Sequence, residues 1–244
     1  MSFTPYQFEN WPNAPKYYCF WEDFGKEYPL TSSLPVTATS PYSGTALNSG
    51  TFAQTTDEGL AVAIFSGGAT TDNSGVQLQG DMETFSLVAG KRVRGLTRWK
   101  CSDGTEDEVY FGIGITDTTF IDGAGTLAAG LTHTDSVGVY KPDGESNLYG
   151  VVRRDSVNVI VTGAVPITAT SYNTIGFEVL MDPTTAGLGY FNFFVNGTQY
   201  TGGSSTVMPY SAEEILTPTF AFLTGNATGT KTCTVDFMGV MQER

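Results

Sequence analysis

The stretch FNFFVNGTQYTGG, residues 191–203, decides the fold. An aromatic run reaches Asn196-Gly197, and an extended, alternating pattern resumes at once. Asn-Gly between two extended runs is the strongest short signal for a β-hairpin, because a type I′ turn needs positive φ at both central residues. Asn196-Gly-Thr198 also fits the glycosylation pattern, as does Asn226-Ala-Thr228. The opening MSFTPYQFENWPNAPK has no apolar core of a secretory signal, so the turn reading is taken and the glycan reading set aside.

Working outward, similar runs recur between turn clusters. They are LAVAIF (60–65), VQLQ (76–79), FSLV (85–88), RVRGLTRWKC (92–101), EVYFGIGI (108–115) and SVGVY (136–140). NLYGVV (147–152), NVIV (158–161), TIGFEVLM (174–181), YFNFFV (190–195), FAFL (220–223) and TCTVDFMGVM (232–241) follow. About a dozen short strands at this spacing predict an all-β antiparallel sandwich. The one helical signal is Ser211-Ala-Glu-Glu214, a capping box that Pro218 holds to a turn or two. Residues 116–135 are rich in small residues and carry no strand signal; they read as a mobile loop.

Residues 1–28 are different in kind. They hold ten aromatics, Phe3, Tyr6, Phe8 and Trp11 among them, interrupted by Pro5, Pro12 and Pro15. The sequence therefore divides into an extended N-terminal arm, 1–28, and one sandwich domain, 29–244. Fully stretched, the arm reaches roughly 90 Å. It either covers an edge of its own sandwich or anchors a neighbouring subunit through Phe3, Tyr6, Phe8 and Trp11.

Composition narrows the function. A net charge of −13 opposes both nucleic-acid phosphates and anionic membranes, so neither is expected as a partner. Cys19, Cys101 and Cys233 are odd in number and show no Cys-x-x-Cys spacing. They suggest neither a disulfide framework nor a zinc site, and fit synthesis in a reducing cytoplasm.

Candidate chemistry is thin. His133, the single histidine, has no Gly-x-Ser-x-Gly elbow to serve and reads as a surface residue. Asp81/Glu83 and Glu106/Glu108 place acids in pairs, but no Glu-x-Asp-x-x-Glu strand of a glucanase type occurs. Oxygen-rich turns at 71–74 and 117–122 lack the calcium-loop pattern. No cofactor or metal site is expected. Arg92, Arg94, Arg98 and Lys100 share one face of the 92–101 run, with Trp99 and Cys101 on the other. A three-residue Asp103-Gly104-Thr105 turn would pair Lys100 with Glu108 and Arg98 with Tyr110 across a hairpin. The basic stripe then reads as a paired, solvated face, and alternatively as a docking strip for an acidic partner.

FWEDF (20–24), GKRVRGLTRWK (90–100), VYFGIGITDT (109–118), VGVYKPDG (137–144), FFVNGTQ (193–199) and the closing LTPTFAFLTGNATGTKTCTVDFMGVMQER (216–244) resemble a family of tailed-phage structural proteins. Members are similar to head decoration, or cement, proteins with a concanavalin A-like jelly roll. The resemblance implies a non-enzymatic virion protein on the outer capsid surface, made in the host cytoplasm. It also implies the major capsid protein as partner and a homo-oligomer, with a trimer the expected form. The alternative is a carbohydrate-binding module of a head or tail appendage, presenting Tyr140 or Tyr149 beside the 116–135 loop.

Overall fold

Two antiparallel sheets share the chain, which alternates between them. A computed structural model describes residues 17–24, 42–58, 60–68, 72–80, 83–121, 131–161, 163–168, 170–200, 202–209, 214–225 and 229–244. Strand β1 (Tyr17–Glu22) joins a nine-stranded sheet, and β2 (Tyr42–Leu47) an eight-stranded one. β3 (Thr51–Asp57) and β4 (Leu60–Ser66) return to the first sheet, β5 (Gly75–Gly80) to the second, and β6 (Arg92–Cys101) to the first. β7 (Asp107–Gly114), β8 (Ser136–Lys141), β9 (Asn147–Arg154), β10 (Val157–Ile160) and β11 (Val165–Pro166) build most of the eight-stranded sheet. β12 (Asn173–Met181), β13 (Gly189–Val195), β14 (Thr198–Tyr200) and β15 (Ser204–Ser205) extend the nine-stranded sheet. β16 (Thr217–Thr224) and β17 (Thr232–Glu243) then close the chain, one in each sheet.

Alternation sets which side chains meet between the sheets, since neighbouring residues of a strand point to opposite faces. Trp99 of β6, Phe111 of β7, Phe177 of β12 and Phe220 of β16 belong to one buried cluster that fills the sandwich. The hairpin at Asn196-Gly197 forms as expected, with φ of 49° and 79° and Val195 opposite Thr198. The Asn196 side chain adds a bond of its own, accepting from the Thr174 amide at 2.9 Å.

Seventeen strands are present among the described residues, against about twelve expected. The additions are β1, β2, β3 and the short β11, β14 and β15. FSLV forms no strand; Phe85 makes one bridge to Leu216, and Phe85 and Leu87 are buried in the core. Tyr17–Glu22, from the predicted arm, pairs with Met238–Glu243 of β17. That segment follows the last of the three prolines, so nothing bars it from a ladder. Ser211, Ala212 and Glu213 of the predicted capping box lie outside the described residues, and Glu214 and Ile215 are not helical.

The predicted β6–β7 hairpin does not exist. β6 lies between β12 and β17, while β7 lies between β16 and β8 in the other sheet. Residues 102–106 are an arch across the sandwich. Asp103 organises it by accepting from the amides of Thr105 and Glu106 at 3.0 and 3.2 Å. Lys231 grips the same carboxylate at 2.7 Å, and that ion pair holds Asp103 far below the usual carboxylate range.

Candidate functional site

Three surfaces were singled out by sequence. Of the arm, Phe3, Tyr6, Phe8 and Trp11 lie outside the described residues. The arm is rooted where Tyr17 pairs with Glu243.

The basic stripe lies on the outer face of the nine-stranded sheet, and its partners come from far along the chain. Arg94 Nε meets Glu178 Oε2 at 2.7 Å, because β12 runs beside β6 with Glu178 opposite Arg94. Arg98 meets Asp236 at 2.7 Å and Glu58 at 3.3 Å. Lys100 meets Asp57 at 2.5 Å, and neither Glu108 nor Tyr110 faces this stripe. The Tyr172 ring lies beneath both cations, 4.0 Å from the Arg98 guanidinium carbon and 4.5 Å from Lys100 Nζ. Its hydroxyl donates to Asp57 at 2.8 Å. Hydrogen bonds from Lys100 and then Tyr172 hold the Asp57 carboxyl below its ordinary value. Among the described residues no carboxylate pairs with the Arg92 side chain.

A β-bulge shapes the same face. The β6–β17 register shifts between Val235 and Phe237, so Val235 and Met238 both point into the core. Asp236 and Phe237 are left to the outer side, as expected where a strand gains a residue. Asp236 takes Arg98, and Phe237 stacks on Trp21 with ring centroids 5.0 Å apart and planes 20° apart. Gly239 makes this possible: a Cβ there would come within 2.4 Å of the Trp21 ring. Trp21 is 43% exposed, and is one of the arm aromatics to which the sequence reading gave no role.

The outer face of the eight-stranded sheet is covered. Across β5, β16, β7 and β8 the register aligns Gln77, Ala221, Tyr110 and Tyr140 in one row. Residues 115–121 and 131–135 lie over it. Two glutamines fasten the first of these segments. Gln77 Nε2 donates to the Asp117 carbonyl, and its oxygen accepts from Phe120 N at 2.7 Å. Gln79 Nε2 donates to the Ile115 carbonyl at 2.9 Å, and its oxygen accepts from Asp117 N at 3.0 Å. Phe120, Ile121 and Leu131 then form a second buried cluster with Tyr110, Tyr140 and Leu223.

His133 is part of this cover and is buried, contrary to the surface reading. Its ring stacks on Phe120 at 3.5 Å. Nδ1 lies 3.0 Å from the Phe120 carbonyl and Nε2 2.6 Å from Ser136 Oγ. A carbonyl only accepts, so the proton sits on Nδ1 and the Ser136 hydroxyl donates to Nε2. Burial pushes the imidazole down to about 3, which keeps it neutral. Among the described residues no carboxylate bonds to this pair, and both residues are enclosed. The acids on β7 are enclosed as well. Glu108 accepts from the Tyr140 hydroxyl, and burial raises Asp107 to about 7. Tyr140 is therefore not the exposed platform expected of it, and the partly buried Tyr149 hydroxyl is bound to Glu145. Nothing along the chain signalled the two-glutamine clamp, since VQLQ alternates like any half-exposed strand. Among the described residues no group of three or more metal-ligating side chains converges.

No protein-family model and no curated protein matches the chain. Solved structures do match in shape. A protein of unknown function from Shewanella oneidensis MR-1 superposes with a TM-score of 0.63 at 13% identity, over 98% of this chain and 94% of that one. The endo-1,3-β-glucanase of Streptomyces sioyaensis gives 0.59 at 12% identity, over 94% and 98%. Peanut lectin gives 0.58 at 13% identity, over 93% and 97%. The fold is thus the concanavalin A-like jelly roll that lectins and glucanases share, and a fold at this identity fixes no activity.

Proposed function

We propose that the chain works by adhesion rather than turnover, as a phage virion structural protein that binds and stabilises the outer head surface. In this reading it is a capsid decoration, or cement, protein, and its partner is the major capsid protein. The observation that carries the reading is the closure of the eight-stranded sheet. On its outer face Tyr110, Tyr140 and the Glu108 carboxylate that Tyr140 binds are all buried, with Tyr110 packed against Phe120 and His133, where a polymer cannot reach them. The exposed Trp21 lies instead on the opposite face, close to the root of the arm. The net charge of −13 keeps free copies apart until a specific contact forms. Weak contacts repeated round a shell, by a trimer or another oligomer, then gain strength through multivalency.

Removing residues 1–16 tests this. The cut falls before Tyr17 because β1 belongs to the sheet. The truncated protein should keep its circular dichroism and urea midpoint yet occupy purified capsids poorly. Full occupancy would remove the arm from the mechanism.

A carbohydrate-binding module is the second reading, favoured by the lectin-type fold and by the exposed Trp21 ring supported on Phe237. Aromatic faces of this kind suit sugar stacking. A glycan array separates the two: specific hits abolished by Trp21→Ala support sugar binding, and silence with retained capsid binding supports the first.

A further inference from the structure

The topology brings together two cysteines that sequence left 132 positions apart. Cys101 ends β6 and Cys233 is the second residue of β17, and the register sets them opposite one another. The neighbouring pair, Ser102 and Thr232, is hydrogen-bonded, with Ser102 N donating to Thr232 O at 2.8 Å. Bonded and non-bonded pairs alternate along an antiparallel ladder. Cys101 and Cys233 are therefore a non-bonded pair, the kind whose α-carbons lie about 4.5 Å apart with side chains closest. That separation falls within the range that disulfides span. Both side chains point into the core, and both are free thiols.

An approach exists from one side. A surface cavity of about 160 Å³ is lined by Lys100, Cys101, Ser102, Thr170, Thr232 and Thr234. Cys233 is fully enclosed and Cys101 nearly so. The pair sits at the ends of both strands, where local opening costs less than unfolding the sheet. Cys19 is remote from it in register, opposite Met241 on the other end of β17.

We infer that Cys101 and Cys233 are a latent cross-strand disulfide, closed by exchange with a small-molecule disulfide such as oxidised glutathione. Cys101 loses its proton to solvent and attacks one sulfur of oxidised glutathione. The glutathione S–S bond breaks, and one glutathione thiolate leaves and takes up a proton. Deprotonated Cys233 then attacks the Cys101 sulfur of the mixed disulfide and expels the second glutathione. Two protein thiols are oxidised to one disulfide, and one glutathione disulfide is reduced to two thiols. Burial raises both cysteines above the ordinary thiol range, so the exchange is slow near neutrality and quickens as pH rises. The bond joins two adjacent central strands of the nine-stranded sheet and closes a long loop. It would therefore slow unfolding without altering the fold. The inference is independent of the capsid reading.

The test uses the purified full chain, incubated with oxidised glutathione at mildly alkaline pH and then alkylated. The expected product has lost two hydrogens, contains a Cys101–Cys233 linked peptide and leaves Cys19 alkylated. It should unfold in urea roughly tenfold more slowly, and dithiothreitol should restore the original rate. Cys233→Ala should stop at a glutathione adduct on Cys101 and show no slowing. If that variant does not fold, peptide mapping of the wild-type chain decides alone. Persistent free thiols at both positions, a glutathione adduct that never resolves, or a link involving Cys19 would each overturn the inference.

Discussion

Replacing Gln77 by alanine should lift the cover off the eight-stranded sheet. The side chain makes three hydrogen bonds: it donates to Gln79 Oε1 at 2.9 Å and to the Asp117 carbonyl, and accepts from Phe120 N at 2.7 Å. At about 1 kcal/mol net for each, their loss costs about 3 kcal/mol. An orphaned, buried Phe120 amide adds about 1–3 kcal/mol if the segment stays in place. The segment has an alternative of similar cost, which is to peel away. That exposes Phe120, fully buried at present, for about 1.5–3 kcal/mol. The expected loss is therefore about 4–6 kcal/mol, which lowers the urea midpoint by roughly 1–2 M for a slope near 3 kcal/mol per molar. Fluorescence of the buried Trp99 follows global unfolding. Hydrogen exchange of the 115–121 segment follows peeling, and the Phe120 amide should lose most of its protection. An unchanged midpoint together with an amide as slow as in wild type would show that the glutamine bonds do not hold the cover.

Further outcomes follow from charge. Burial raises Asp107 from 3.8 to about 7 and lowers His133 from 6.5 to about 3. The first favours the folded state as pH falls and the second opposes it, each by up to about 1.4 kcal/mol per pH unit between roughly pH 4 and 6.5. Against wild type, Asp107→Asn should lose stability as pH falls through that window and His133→Gln should gain it; parallel urea midpoints would contradict the assignment. Arg98→Met removes the contacts with Asp236 and Glu58 and should cost about 1 kcal/mol at low ionic strength, less in molar salt. A midpoint that is the same in both salts would show that the pairs contribute nothing.

What was legible in the sequence was the strands with dense apolar alternation. RVRGLTRWKC spans β6 residue for residue, and TIGFEVLM, YFNFFV and TCTVDFMGVM fall within one or two residues of β12, β13 and β17 at either end. YSGTAL and TFAQTTD were illegible because small and polar residues dominate them. Each sends one large side chain, Tyr42 or Phe52, into the core, and backbone pairing to one neighbour supplies the rest. The turn at 103–105 misled for another reason. Asp-Gly chemistry satisfies the backbone equally in a tight hairpin and in an arch between sheets, and only the partners of β6 and β7 distinguish them. His133 carries no local sign of burial, because Phe120 and Tyr110 cover it from other segments.

The reassignment of β7 changes what the basic stripe can do. In a hairpin with β7, one nearby acid, Glu108, would have answered Lys100, and Arg98 would have faced a tyrosine. An acidic partner could then have docked on the remaining cations with little competition. In the sandwich, Glu108 is on the far sheet, and Asp57, Glu58, Glu178 and Asp236 converge on the stripe from β3, β12, β17 and the turn after β3. An incoming carboxylate must displace an internal one already placed by the backbone, and so gains only the difference between two similar bonds. Arg92 alone of the four escapes that competition among the described residues. Attraction by charge is consequently weak on this face. The energy of any contact there has to come from desolvating apolar surface, which points to Trp21 on Phe237 rather than to the arginines.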